Sequence, residues 1–120
     1  MLLFGVSRGS RRSVMTSTKP YVRPTVGFKG ALERLRVLVP LPVPVRVTRP
    51  KMKDAWGTCD YLTDPPRFHI SVAAGITEAE AIEVLAHEWA HARSWLEHTD
   101  DHSPFWGVAY SECYQALWEE

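Results

Sequence analysis

Cysteine is scarce: only Cys59 and Cys113 occur in 120 residues, too few to staple a small secreted domain, and neither lies in a CxxC or CxxH arrangement. Both are read as buried free thiols. No apolar run approaches the ~18 residues that a membrane-spanning helix requires. The longest, Val37 to Val47, is broken by Pro40, Pro42 and Pro44. Acidic residues are missing altogether from residues 1 to 26. There the short apolar start, Met1 to Val6, precedes Arg8, Arg11 and Arg12, which reverses the order of a secretory signal peptide. The stretch shares its Ser, Thr and Arg content with organellar transit peptides, but it has no periodicity, so a disordered tail is expected over residues 1 to 26. Internal repeats and low-complexity blocks are also absent, and the length allows one domain, expected over residues 27 to 120.

What is present describes an ordinary globular protein: 45% hydrophobic and 11% aromatic residues, with 14 basic against 14 acidic side chains. The balance hides a division. Residues 1 to 53 carry 12 Lys and Arg against Glu33 alone, whereas residues 54 to 120 carry 2 against 13 acids. A basic half can be a footprint for nucleic acid, but an equal acidic half offers it an internal partner, which makes nucleic-acid binding the lesser reading.

Phe28, Ala31, Leu32, Leu35 and Leu38 follow helical spacing, so a short helix is expected over residues 28 to 38. Leu41, Val43, Val45 and Val47 alternate with Pro42, Pro44 and Arg46, a strand pattern that proline confines to an edge. Two further strand-like runs, 55 to 62 and 67 to 73, flank Thr63-Asp64-Pro65-Pro66, and together they predict a hairpin. His69 falls on the polar side of its second arm and is read as a surface residue. Thr77, with Glu80 three positions on, forms a capping box, and no Pro or Gly interrupts residues 78 to about 97, so a long helix is expected there. Ser103 and Pro104 signal the start of a last helix reaching Trp118.

Inside the long helix lies His87-Glu88-Trp89-Ala90-His91, the HExxH arrangement. Four residues make slightly more than one helical turn, so both imidazoles leave one face and can share one zinc ion. Glu88 is then placed to act as general base and later as general acid on a metal-activated water. The third ligand must come from His98, Asp100, Asp101, His102 or Glu112. His98 would lie ~10 Å further along a continued helix, too far to share the ion. The metzincin pattern fails as well, because Ser94 and Glu97 stand where it needs Gly and a ligand. His102, just before the last helix, is preferred. Glu112 is the alternative, and whichever is not a ligand is expected to orient a ligand imidazole. Tyr110 and Tyr114 are candidate donors to an oxyanion, although their spacing equally suits core aromatics. Trp89, Trp95, Trp106 and Trp118 are expected to pack between the two helices.

The run from Ala81 to Ala92 around this motif, followed by His102-Ser103-Pro104-Phe105-Trp106-Gly107-Val108-Ala109-Tyr110, resembles the small SprT-like and phage-encoded zinc metallopeptidases. The likeness covers about residues 55 to 118, with Trp56 to Tyr61 and Arg67 to Val72 as a weaker hairpin counterpart. Ser103 stands where that group commonly has glycine, the linker from His91 to His102 is short, and no additional cysteine cluster is present. The resemblance implies a zincin-like α+β domain: a short N-terminal helix, a three-stranded antiparallel sheet, the HExxH helix and a closing helix. It implies a zinc peptidase in the cytoplasm of a bacterium or phage-infected cell, holding zinc through His87, His91 and His102 and hydrolysing a protein or peptide substrate laid along one strand of residues 55 to 73. The rival readings are a zinc-stabilised, non-catalytic binding module and a nucleic-acid-associated protein using the basic half.

Overall fold

The computed structural model describes residues 10–13, 27–95 and 104–118. They form an α+β domain in the order β1 (Ser10–Ser13), α1 (Phe28–Leu38), β2 (Val45–Thr48), β3 (Gly57–Leu62), β4 (Arg67–Val72), α2 (Glu78–Arg93) and α3 (Pro104–Trp118). The sheet order is β1-β3-β4-β2, and the helices bury one of its faces. Among the described residues no helix is long and apolar enough to cross a membrane.

The hairpin forms where the turn residues predict it. Phe68, Ile70 and Val72 of β4 are buried, while Arg67 and His69 stand on the other face. His69 is half-buried there, with Nε2 2.9 Å from Thr48 Oγ1 on β2.

The sheet differs from expectation in two ways. First, it is mixed rather than antiparallel: β2 pairs with β4 in parallel, whereas β3 is antiparallel to both β1 and β4. Alternating side chains define a strand without defining its direction. The direction here comes from the crossover through residues 49–56, which carries the chain past the end of β4. Arg49 fastens it by donating to the carbonyls of Val72 and Ala73, both at 3.0 Å, and Ala74 N donates to Pro50 O at 2.8 Å. Second, Ser10–Ser13 lies within the expected tail yet pairs with Gly57–Asp60 as a fourth strand. Pairing of this kind rests on backbone groups, which composition does not reveal. The rest of residues 1 to 26 lies outside the described residues.

α2 begins as expected. Thr77 Oγ1 accepts from Glu80 N at 3.1 Å and Glu80 Oε1 accepts from Thr77 N at 3.0 Å, so two N–H groups left open by the helix start are satisfied. The helix ends at Arg93, short of residue 97; Ser94 is its cap, and Ser94 Oγ donates to the Ala90 carbonyl at 2.8 Å. Trp95 then packs on Tyr61 and Phe68 of the sheet, with ring centroids 6.1 and 5.7 Å away. At the other end, Glu78 Oε2 accepts the first N–H of α1, from Phe28, at 3.0 Å. The two charge halves meet partly through guanidinium groups on carbonyls: Arg34 donates to Ala116 O and Arg49 to β4.

Candidate functional site

Successive residues on a helix turn about 100°, so His87, Glu88 and Trp89 leave α2 toward three different neighbours. Trp89 is fully buried and donates from Nε1 to Val39 O at 2.8 Å, beyond the end of α1. Glu88 meets β3. At Gly57 an added Cβ would lie 3.0 Å from Glu88 Oε2 and 2.5 Å from Val84 Cγ1; the missing side chain is what lets the carboxylate lie against the strand backbone. Glu88 and His91 have no solvent exposure, and His87 is half-buried.

His87 and His91 meet α3. Their ring centroids are 5.2 Å apart at 69°. One nitrogen from each ring at ~2.1 Å from a tetrahedral zinc places two centroids about 5 Å apart, so the observed pair is compatible with a shared ion. Trp106 covers both rings, at 5.0 Å from His87 and 5.6 Å from His91, and its Nε1 donates to the His87 carbonyl at 3.4 Å. Tyr110 stacks on Trp106 at 5.0 Å and 10°, and its ring is 6.2 Å from His87. Tyr114 and Trp118 continue this ladder along α3 with ring separations of 6.4 and 5.0 Å. Of the four tryptophans expected between the helices, Trp106 stands over the imidazoles; Trp89 turns toward Val39 and Trp95 toward the sheet.

Tyr110 has its phenol pushed up to about 12, first by burial and then by the negative charge of Glu83, with Cys113 and Tyr114 adding to it. It therefore holds its proton as a donor through neutral pH.

The candidate third ligands part company. His98, Asp100, Asp101, His102 and the Ser103 cap lie outside the described residues. Glu112 is exposed on α3 and pairs with Arg93, Oε1 to Nε 3.3 Å, while Arg93 also donates to Pro40 O at 2.7 Å. Among the described residues no three His, Cys, Asp or Glu side chains converge on a metal-sized point. A cleft of about 720 Å³ between Pro40, Pro42, Arg93, Phe105 and Glu112 includes neither His87 nor Glu88 in its lining. The residues present thus provide two imidazoles, a buried carboxylate and a glycine cradle, a donor set that suits zinc once a third ligand is supplied.

Sequence reasoning passed over Gly57 as a positioning element, although an isolated glycine inside a strand pattern signals close backbone approach. It also passed over Glu83, one turn before His87, whose charge reaches Tyr110. Comparison with family models, curated proteins and solved structures yields no match to this chain.

Proposed function

We propose that the chain is a zinc-dependent metallopeptidase of zincin-like build, similar to the SprT-like group, that hydrolyses peptide bonds in a protein or peptide substrate. The observation that carries this reading is Glu88: a carboxylate with no solvent exposure, one position from His87 and seated on a strand that lacks a side chain at Gly57. A carboxylate placed next to two imidazoles on one helix, and shielded from bulk water, is positioned to take a proton from a water bound between them.

In this reading His87, His91 and His102 hold the metal. Zinc, when bound, supplies a Lewis acid that polarises the scissile carbonyl and lowers the pKa of water to ~7. Glu88 takes the proton from the attacking water and delivers it to the departing amine, so that one water is consumed and the C–N bond gives a carboxylate and an amine. Tyr110, kept protonated, donates a hydrogen bond to the oxyanion. Trp106 keeps water off one side of the imidazoles and holds α3 against α2.

Glu88→Gln preserves shape and removes the base. The variant is expected to bind zinc with the parent's affinity, measured by equilibrium dialysis with metal analysis, and to cleave an unfolded protein substrate at least ~100-fold more slowly. Unchanged hydrolysis would sink the assignment. Parallel His102→Ala and Glu112→Ala variants decide the ligand set: the first should release zinc and the second retain it, and the reverse result would make Glu112 the ligand. The complete burial of His91 also suits a zinc-closed scaffold. That rival requires four protein ligands and no hydrolysis by the parent.

A further inference from the structure

β1 occupies a particular place. It runs antiparallel on the outer edge of β3 with Cα partners Ser10 and Asp60, Arg11 and Cys59, Arg12 and Thr58, Ser13 and Gly57, and it also touches α2. Gly57, which faces Ser13 across the ladder, is the residue against which Glu88 rests. The edge beside the candidate base is therefore already filled, by a segment separated from α1 by residues 14–27.

Its composition is unlike that of the other strands. Ser-Arg-Arg-Ser holds no β-branched or aromatic residue, whereas β3 and β4 hold Thr58, Tyr61, Phe68, Ile70 and Val72. Pairing by such a segment depends on main-chain hydrogen bonds, the same bonds that any extended peptide forms when it adds to a sheet edge. A basic segment also comes to lie on the half of the chain that carries 13 acids against 2 bases.

We infer that the outer edge of β3 beside Glu88 is an extended-peptide site whose resident occupant is Ser10–Ser13 of the same chain, so that an incoming peptide must displace β1. This deepens the peptidase reading and rests on it only for the cleavage step; binding itself is measured without hydrolysis. Because Ser10–Ser13 belongs to the same chain, its pairing is intramolecular, an advantage that an outside peptide must overcome.

The test uses the full chain in a Glu88→Gln background and a fluorescent synthetic peptide with the sequence of residues 7 to 16, read by anisotropy. Arg11→Pro combined with Arg12→Pro removes two backbone donors from β1, and peptide affinity is expected to rise at least ~10-fold over the parent. Arg12→Cys combined with Thr58→Cys places a thiol pair across the ladder, where directly opposed Cα atoms are ~4.5–5.5 Å apart and within reach of a disulfide. Oxidised, this variant should bind the peptide at least ~10-fold more weakly than when reduced. Equal affinity in parent and proline variant overturns the inference. So does equal binding by the oxidised and reduced thiol variant, which decides the matter if the proline variant fails to fold. Peptide displacement seen together with unchanged hydrolysis on Glu88→Gln substitution would leave this site standing and remove the peptidase reading.

Discussion

The face of α2 that carries Trp89 and the face that carries His87 and His91 belong to the same sixteen-residue helix, yet they are built on different terms. On the first, Ile82, Leu85 and Trp89 are buried against the core, and the one polar atom, the indole N–H, donates to Val39 O. On the second, imidazoles lie under an aromatic ladder, and a carboxylate between the two faces rests on bare strand backbone. The first face is what burial alone would select. The second gives helix surface to groups that are costly to bury, and it is there that the sequence motif lies.

The largest effect should come from breaking the apolar face. Trp89→Ala removes a fully buried indole and its hydrogen bond and should cost about 3–5 kcal/mol in urea unfolding. Under the proposed function, zinc affinity of the molecules that remain folded should stay at the parent's level; its loss would mean that the two faces are not separable.

Next in size is Gly57→Ala. The new Cβ would meet Val84 Cγ1 at 2.5 Å and Glu88 Oε2 at 3.0 Å. Overpacking of this kind costs about 1–3 kcal/mol, and under the proposed function the displacement of Glu88 should slow hydrolysis roughly 10- to 100-fold. A stability loss with hydrolysis at the parent's rate would make Gly57 a packing residue only.

The smallest effect vanishes at neutral pH. Burial pushes the Cys113 thiol from 9.0 up to about 12, with Glu112 adding to the shift and Arg93 opposing it, and Tyr110 rises from 10.0 to about 12. Unfolded, these groups ionise near their ordinary values; folded, they hold their protons to about 12, so the native state binds more protons between pH 9 and 12. Stability should therefore be level below pH 9 and fall as pH rises toward 12. In Cys113→Ala the fall should begin later, near the ordinary tyrosine value, as followed by the urea midpoint against pH.

Several parts of this arrangement were legible in the sequence. The 28–38 helix could be read from its apolar spacing, and the start of α2 from Thr77 and Glu80, because both signals are local. The HExxH pair is a consequence of helical geometry alone. Strand direction could not be read: parallel pairing of β2 depends on a crossover held by Arg49, a contact between distant parts of the chain. Nor could β1, whose Ser-Arg-Arg-Ser has no period to detect and whose order comes from the edge it meets. Trp89 and Trp95 were placed between the helices by residue type, whereas their directions are decided by Val39 and by the aromatic pair Tyr61 and Phe68.

One joint ties the starts of two helices together. Glu78, in the first turn of α2, accepts the leading N–H of α1, while Thr77 and Glu80 bind each other and anchor the same turn. Glu88 is ten residues on, ~15 Å along the axis. Sliding α2 lengthwise would uncap α1, so the Glu78 carboxylate adds a contact at the helix start to the burial that holds Glu88 level with Gly57. Under the proposed function, a change at Glu78 would reach the site only through this register.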